Sequence, residues 1–304
     1  MKVGGLAGLL LIGLLLTACS GNRSRSPHSA TTHRGDVSSS NTPRTPGGRG
    51  LHDDLSRPQS SRYRDNSDSV PPPIDVSKLV EPVPKVEPRS LYGNKSPYTV
   101  LGRNYRVLPT ARGYDERGIA SFYGNKFHGY KTSSLETYDM YAFSAASTTL
   151  PLPSYARVTN LENGKSVIVR VNDRGPFHAN RLIDLSYAAA VKIGVWPKGT
   201  GLVEVRGIDP GQSSGELPPP AVVTNTHPGI YLQVGAFSDV GNAQRLAQRL
   251  RQAGLGAVQM ADAVVNGQHV QRVRVGPLPD VTDADKVSAR IEAMGLPRPR
   301  VAVD

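Results

Sequence analysis

The sequence predicts a mainly β domain built as a small barrel, followed by a small α+β domain. Between residues 114 and 209, short β-branched or aromatic runs alternate with Gly, Asn and Pro turns, and only one short helix is indicated. From residue 229 to 304, strand and helix patterns follow the order β-α-β-β-α-β. Residues 19–113 are rich in Ser, Arg and Pro, and residues 210–228 in Gly, Ser and Pro. Such compositions bury too little apolar surface to offset the entropy of ordering, so both segments are predicted to be disordered connections.

The N-terminus predicts a lipoprotein signal peptide over residues 1–18. Lys2 precedes an apolar run from residue 6 to 16, which is too short to span a membrane but suits a signal-peptide core. Cys19 follows Leu-Thr-Ala and is the single cysteine of the sequence, so it fits a lipidation site and excludes an internal disulfide. Ser20 comes next, where an Asp would favour retention in the inner membrane. We expect a periplasm-facing lipoprotein anchored in the outer membrane through Cys19.

The formal net charge of +11 at pH 7 indicates that the chain could attract anionic partners. Much of it comes from arginines in the 19–113 tether. A basic segment can bind nucleic acid, but the predicted periplasmic location excludes that partner. Anionic lipid headgroups, cell-wall carboxylates or plain solubility remain as explanations. The seven histidines show no metal-ligand spacing, so the sequence predicts neither a metal nor a cofactor.

Two aspartates stand near the ends of predicted strands in the first domain. The β-branched run at 167–171 stops at Asp173-Arg174-Gly-Pro, and a short apolar run containing Asp184 leads into a helix that begins near Ser186. Arg174 is expected to hold Asp173 ionised. Asp184 lies between Ile and Leu, where desolvation raises a carboxyl pKa toward that of a general acid.

The remaining elements of this domain complete a barrel of short strands. Strands are predicted at Ile119–Tyr123 and Tyr155–Thr159, with a hairpin turn at Asn163-Gly164. A short helix runs from Ser186 to Ile193, and the last strand covers Gly201–Ile208.

The segments VNDRGPF and RLIDLSYAAA, together with IASFYGNKFHGYKTSSLETYDMYAFSAASTTLPLPSYARVTNLENG upstream, closely resemble the rare lipoprotein A (RlpA) family. The resemblance covers about Ile119 to Ile208. It implies a double-psi β-barrel, similar to the barrels of expansins and of membrane-bound lytic transglycosylase A. It also implies a lytic transglycosylase, a lyase that acts on peptidoglycan glycan strands whose stem peptides have been removed.

The resemblance also implies roles for individual residues. Asp184 occupies the position of the catalytic Asp in related barrels and is the first candidate for the general acid, with Asp173 as the alternative. Glu136 matches an acidic position of the family, so Glu136 or Asp173 would stabilise positive charge or orient the sugar. Ser147 stands where the family typically has His. A hydroxyl cannot titrate near neutral pH, but it can keep a hydrogen-bonding role.

Substrate contacts are predicted at Tyr123, His128 and Arg174. The two rings belong to an aromatic, glycine-containing loop at residues 122–130. Such rings can stack on sugar faces, although core packing is the commoner role of aromatics in a small domain.

The second domain is predicted in more detail. Strand Ile230–Phe237, helix Asn242–Ala253 and a hairpin turn at Asn266-Gly267 come first. Thr282 and Asp285 form a capping-box-like start to the second helix, and Arg300–Val303 is the last strand. Together these elements predict a four-stranded antiparallel sheet with both helices on one face. Leu232, Val234, Val273 and Val275 would then face the helices, and Gln233, Arg272 and Arg274 the open face.

YLQVGAF, RVRVGPL and the helix between them resemble the SPOR domain family, which binds denuded septal glycan. That resemblance implies a glycan-binding face with Gln233 and Arg272 at matching positions, while Ala236 and Val270 depart from residues found in some members. An RNA-recognition module is disfavoured because residues 270–275 carry no aromatic side chain to stack a base.

Two functions from different classes follow. One is a lytic transglycosylase that the SPOR domain concentrates at the division septum. The other is a septal lipoprotein that binds glycan without cutting it, and Ser147 is the residue that favours it. The linker 210–228 predicts that the two domains fold and act independently.

Overall fold

The computed structural model describes residues 63, 68–69, 71–211, 217–222 and 228–303. The predicted signal peptide, Cys19 and most of the first half of the tether lie outside the described residues. Within the described ranges, no helix is long and apolar enough to cross a membrane.

The first domain is a closed six-stranded barrel. Its elements are β3 (Asp115–Tyr123), β4 (Ser144–Ala146), β5 (Ser154–Asn160), β6 (Ser166–Asp173), β7 (Ile183–Ser186), α1 (Tyr187–Ile193) and β8 (Thr200–Ile208). The strand order is β3-β7-β4-β6-β5-β8. The pairs β3–β7 and β4–β6 are parallel and the other pairs are antiparallel.

Alternation along the strands fills the barrel. Val167, Val169 and Val171 on β6 are fully buried, as is Val203 on β8, because alternate residues of a strand face the same side. Helix α1 begins at Ser186, whose hydroxyl accepts a hydrogen bond from the amide of Ala189, and it ends at Gly194 in the left-handed conformation. This is where the sequence predicted a helix.

The second domain is a four-stranded antiparallel sheet with two helices. Its elements are β9 (Ile230–Phe237), α2 (Val240–Gln252), β10 (Val258–Val265), β11 (Gln268–Leu278), α3 (Val281–Ala293) and β12 (Arg300–Val303). The strand order is β10-β11-β9-β12. The residues predicted to face the helices are buried in one apolar cluster with residues of both helices.

Both helices of this domain start earlier than predicted, each at an Asp cap. Asp239 accepts from the amide of Asn242, and Asp280 accepts from the amide of Asp283. The capping-box interpretation of Thr282 and Asp285 is therefore wrong.

The second half of the predicted tether packs against the barrel. The Glu81 carboxylate accepts from the amide of Ile168 at 2.9 Å, and Glu87 pairs with Arg170 at 3.0 Å. Two short strands, β1 (Tyr98–Val100) and β2 (Arg103–Tyr105), form a hairpin. The structure thus differs from the predicted disorder over residues 76–113, because charged side chains spaced along this segment find partners on the barrel.

The two domains also contact each other. Ile119, Leu161 and Leu202 of the barrel are at most 5% exposed and lie in the same apolar cluster as Ile230 and Leu232. Part of the predicted linker joins this contact, since the amide of Ala221 donates to the Thr159 hydroxyl at 3.3 Å. The prediction of independent domains assumed a linker without packing surface, but Ala221 within the described residues 217–222 is buried.

Candidate active site

Four residues on neighbouring strands form a row across the barrel wall. Ser121 on β3 pairs with Asp184 on β7, Asp184 pairs with Ala146 on β4, and Ala146 pairs with Asp173 on β6. Adjacent strands lie about 4.8 Å apart, so the Cα atoms of the two aspartates are separated by about 10 Å. The barrel therefore brings together the two carboxylates that the sequence singled out.

Asp184 has the environment of a general acid. Burial raises its pKa, and the hydrogen bond from the Ser121 hydroxyl and the charge of Arg181 lower it only in part, so the pKa stays above the usual range. The predicted direction is confirmed. Gly175 has a φ of +147°, and a Cβ there would lie 3.5 Å from Oδ2 of Asp184. The glycine thus keeps a side chain out of van der Waals contact with the carboxylate.

Asp173 differs from its prediction. Its Oδ1 accepts from the Ser133 amide at 2.8 Å, from the Ser133 hydroxyl at 2.7 Å and from the Arg174 amide at 2.7 Å. Burial nevertheless outweighs these bonds and raises the pKa of Asp173. Arg174 was expected to hold Asp173 ionised; its backbone hydrogen bond and its charge do lower the pKa of Asp173, but they do not outweigh burial.

The Arg174 guanidinium points into the protein. It donates to the carbonyls of Gly93 at 2.6 Å, Ser147 at 2.8 Å and Leu150 at 2.6 Å. Burial lowers its pKa to about 10. Arg174 is only 8% exposed, so its guanidinium mainly holds the turn after Asp173, and its contact with substrate stays a prediction.

Glu136 belongs to a network of polar and charged side chains that includes Arg170 and Asn172 of β6. Its carboxylate accepts from Nδ2 of Asn172 at 2.9 Å and pairs with Arg170 at 2.5 Å, while Arg170 also contacts both oxygens of Glu87 at 3.0 Å. Burial alone would raise the pKa of Glu136, but the bonds from Arg170 and Asn172 outweigh it and lower the pKa. Glu136 is therefore an anion. It lines a cleft of about 450 Å³ with Tyr141.

Ser147 lies at the end of β4 and is 2% exposed. Its hydroxyl accepts from the amides of Thr149 at 3.2 Å and Leu150 at 3.1 Å. Its own amide donates to the carbonyl of Asp173 at 3.0 Å. The side chain thus closes a turn beside the candidate acids, and its hydrogen bonds go to the backbone.

The two predicted ring contacts have different surroundings. Tyr123 is buried, with its ring stacked on Tyr138 at 4.1 Å between centroids, so its face is not available to a sugar. His128 is partly exposed, and its Nδ1 accepts from the amide of Met140 at 3.2 Å. Its ring lies 5.6 Å from that of Tyr141.

Sequence reasoning missed the two serines that bond the aspartates. Ser121 is 63 positions from Asp184 and Ser133 is 40 positions from Asp173, so no local pattern marks them. Within the described ranges, no cluster of three or more His, Cys, Asp or Glu side chains forms a candidate metal site.

An aromatic cleft beside Asp173 was missed as well. Tyr98 stacks on Tyr105 at 5.3 Å, and Tyr105 meets Phe177 edge-on at 5.7 Å. The hairpin that carries both tyrosines was assigned to the tether. The cleft has a volume of about 200 Å³ and is lined by Gly93, Lys95, Tyr98, Val100, Ser133, Arg174 and Phe177.

The open face of the second domain carries a polar row. Gln233 on β9 lies between Arg274 on β11 and Arg300 on β12, and Arg274 lies 6.0 Å from the ring of Tyr231. Arg272 lies opposite Ala236, on the other side of a register shift between Val273 and Arg274 of β11. The three residues predicted for this face are all on strands where their side chains alternate with buried ones. The sequence did not point to Arg300, because its position opposite Gln233 depends on the pairing of β12 with β9, which no local pattern shows.

Comparison with known proteins identifies both domains. A family model described as lytic transglycolase matches residues 115–206, and the SPOR domain model matches residues 226–298. The endolytic peptidoglycan transglycosylase RlpA of Pseudomonas aeruginosa (strain UCBPP-PA14) is 39% identical over 278 residues, covering 74% of this chain and 81% of that protein. This chain belongs to the RlpA family.

Further relatives and solved structures are similar to parts of this chain. RlpA of Vibrio cholerae serotype O1 is 43% identical over 220 residues, covering 72% of this chain and 81% of that protein. The crystal structure of the RlpA SPOR domain from Pseudomonas aeruginosa is 31% identical, covers 24% of this chain and 97% of that one, and has a TM-score of 0.24. An expansin from Clavibacter michiganensis is 11% identical, covers 55% of this chain and 81% of that one, and has a TM-score of 0.25.

Membership in the RlpA family confirms the predicted fold class. The closed six-stranded barrel is the double-psi β-barrel of the family, and the four-stranded sheet with two helices is its SPOR domain. The predicted link to peptidoglycan transglycosylases is confirmed at the level of the family.

Proposed function

We propose that this member of the RlpA family is an endolytic lytic transglycosylase that cleaves peptidoglycan glycan strands lacking stem peptides. The observation that carries the proposal is Asp184, a carboxyl group whose burial raises its pKa and beside which Gly175 places no side chain. A carboxyl group with a raised pKa is suited to protonating a glycosidic oxygen.

The proposed reaction needs one proton donor and no water. Asp184 gives its proton to the glycosidic oxygen as the bond to C1 of N-acetylmuramic acid breaks. The Asp184 carboxylate then takes the proton of the C6 hydroxyl of the same sugar, and O6 bonds to C1. The products are a new strand end and a 1,6-anhydro-N-acetylmuramic acid end. The acid regains its proton, so the cycle closes.

The other carboxylates have supporting roles in this proposal. Asp173 raises the pKa of Asp184 by its negative charge, and it is the alternative acid because its own pKa is raised. Glu136 stays ionised beside Arg170. An anion at that position can orient the sugar or stabilise oxocarbenium-like charge, but it cannot start the reaction as an acid.

Location and targeting complete the proposal. Lipidation of Cys19 would anchor the protein in the outer membrane facing the periplasm. The open SPOR face would then hold denuded glycan at the division septum through Gln233, Arg272 and Arg274, with Arg300 and Tyr231 extending the same surface.

Ser147 favours a second candidate function, a septal glycan-binding protein without cleavage activity. Its hydroxyl is committed to the amides of Thr149 and Leu150, and no imidazole occupies its position. A barrel with this change could bind glycan through the aromatic cleft near Tyr98 without cutting it.

The deciding experiment is incubation of the lipid-free chain from Ser20 to Asp304 with amidase-treated sacculi, followed by mass spectrometry of the released material. The proposal expects anhydro-ended glycan fragments, and far fewer from intact sacculi. Binding without any anhydro product would support the second candidate instead.

The SPOR face is tested in the same preparation. Gln233→Ala with Arg272→Ala should weaken binding to amidase-treated sacculi, since each lost polar contact costs about 0.5–1.5 kcal/mol. Arg245→Ala is the matched control, because Arg245 is exposed on α2 on the opposite side of the sheet. Equal binding by the double variant and the control would contradict this assignment.

A further inference from the structure

Helix α3 of the SPOR domain contacts the loop that joins the two candidate acids. This loop covers residues 174–182, directly after Asp173 and directly before β7 with Asp184. The Asp285 carboxylate accepts from both terminal nitrogens of Arg181, at 3.1 and 2.8 Å. It also accepts from Nδ2 of Asn180 at 3.0 Å. One carboxylate thus holds two consecutive residues of the loop.

Asn180 is fixed from its other side as well. Its φ is +60°, the left-handed conformation that Asn tolerates better than most residues. Ser288, which is 1% exposed, donates from its hydroxyl to Oδ1 of Asn180 at 3.3 Å. The amide group of Asn180 therefore lies between two side chains of α3, one turn apart.

Further contacts hold α3 against the first domain. Arg103 pairs with Glu292 of α3 at 3.3 Å, so the helix also contacts the β1–β2 hairpin, which carries Tyr98 of the aromatic cleft. The apolar cluster shared by Ile119 and Ile230 lies at the same junction of domains. Exposed ion pairs contribute little, but the Arg181 side chain is only 9% exposed and its pair with Asp285 is bidentate. Bidentate Arg–carboxylate pairs are the strong ones.

Arg181 connects this contact to the chemistry. The charged groups that face Asp184 are Asp173 from β6 and Arg181 and His178 from the loop. The positive charge of Arg181 stabilises the ionised form of Asp184, which opposes the effect of burial. Asp285 offsets that positive charge, because its carboxylate lies against the same guanidinium.

We propose that Asp285 and Ser288 of the SPOR domain are positioning residues for the barrel's reaction, which act through Asn180 and Arg181 on the loop between Asp173 and Asp184. This inference rests on the proposed transglycosylase function. It makes the SPOR domain a structural part of the catalytic unit, in addition to its role in binding glycan.

The test compares Asp285→Asn and Ser288→Ala with Asp283→Asn in the full chain from Ser20 to Asp304. Asp283 is on the same helix, but it is more exposed and pairs with Lys286 of its own helix. The substrate is a set of short soluble glycans from amidase-treated sacculi, so that retention on the cell wall does not enter the rate.

Asp285→Asn should lower kcat about ten- to hundredfold, because small displacements of catalytic groups have effects of this size. Arg181 would no longer be offset, so the alkaline limb of the kcat profile should move to lower pH. Binding to sacculi and the rates of Asp283→Asn should stay at wild-type values. Ser288→Ala should lower kcat less and leave the pH profile in place. Unchanged kcat and pH profile in Asp285→Asn would overturn the proposal and leave only a docking contact.

Hydrogen exchange of the same variants separates this proposal from the proposed function. Asp285→Asn should speed amide exchange in residues 174–182 while β9–β12 keep their protection. An inactive wild-type chain would reject the transglycosylase proposal. The positioning contact would then be judged by exchange alone, and unchanged exchange in the loop would reject it too.

Discussion

Asp184 and Glu136 are carboxylates of the same barrel, and their surroundings push their pKa values in opposite directions. The Asp184 carboxylate accepts a hydrogen bond from the neutral Ser121 hydroxyl, and burial dominates, so its pKa rises. The Glu136 carboxylate pairs with the charged Arg170 and accepts a hydrogen bond from Asn172, so its pKa falls although burial acts on it too. The two carboxylates therefore differ in the balance between burial, which raises both pKa values, and the hydrogen bonds and charges that oppose it.

The largest effect that this contrast predicts is on cleavage. Asp184→Asn should reduce release of anhydro-ended products about 10²–10⁴-fold, the usual contribution of general acid–base catalysis. Glu136→Gln should retain more activity, because it removes an anion and leaves the acid in place. The measurement is product release from amidase-treated sacculi, with Asp173→Asn alongside.

Asp115→Asn is the matched control for this series, since Asp115 is an exposed carboxylate at the far end of β3 from Ser121. A fully active Asp184→Asn with an inactive Asp173→Asn would move the acid to Asp173. An inactive control would instead point to a loss of folding.

A second prediction concerns the stability of the Ser147 turn. Ser147→Ala removes an acceptor from two backbone amides, and each lost hydrogen bond costs about 0.5–1.5 kcal/mol. Chemical denaturation should show this loss. Ser147→His should lose the same bonds and gain no turnover, because the site is buried and its bonds serve the turn. A rise in turnover for Ser147→His would show that an imidazole can reach the acids and that its absence limits this enzyme.

The smallest expected effect is on thermal stability: Asp184→Asn and Glu136→Gln should shift the unfolding temperature in opposite directions, and both shifts should depend on pH. The folded-state pKa of Asp184 is raised, so ionisation destabilises the fold as pH rises through it, and Asp184→Asn should unfold at a higher temperature at pH 7.5. The folded-state pKa of Glu136 is lowered, so its anion stabilises the fold above the unfolded pKa, and Glu136→Gln should unfold at a lower temperature at pH 7.5.

Both differences should shrink toward pH 4, where the unfolded carboxyl groups take up protons. Thermal unfolding of the three proteins at pH 4 and pH 7.5 measures this. Differences of the same sign for the two variants would contradict the contrast between Asp184 and Glu136.

Local patterns were sufficient for most of the secondary structure. Alternation predicted β6 and β9, and the hairpin at Asn266-Gly267 has the positive φ values of both residues that such a turn needs. The motif around Asp173 and Asp184 also predicted that both would lie near strand ends. These features depend on residues close together in the chain, which is the information that periodicity and turn chemistry contain.

Long-range pairings were not predictable in this way. Glu87 and Arg170 are 83 positions apart, so the composition of the tether alone suggested disorder. Asp285 looked like part of a helix cap because Thr282 precedes it by three residues, whereas its carboxylate binds Arg181, 104 positions away. Arg174 was misread for a similar reason, since adjacency in sequence to Asp173 did not determine where its guanidinium points.

Contacts between the predicted tether and the barrel set how far the enzyme can lie from the membrane. With Cys19 as the proposed anchor, about 44 positions separate the lipid from Tyr63, whose ring meets that of Phe127 in the barrel domain. Fully extended, a chain of that length reaches at most about 145 to 160 Å. A free chain running to residue 113 would reach about 310 to 340 Å by the same rule. Lengthening the segment before residue 62 should therefore widen the layer of cell wall that the barrel can search, whereas shortening it should confine the barrel to glycan close to the outer membrane.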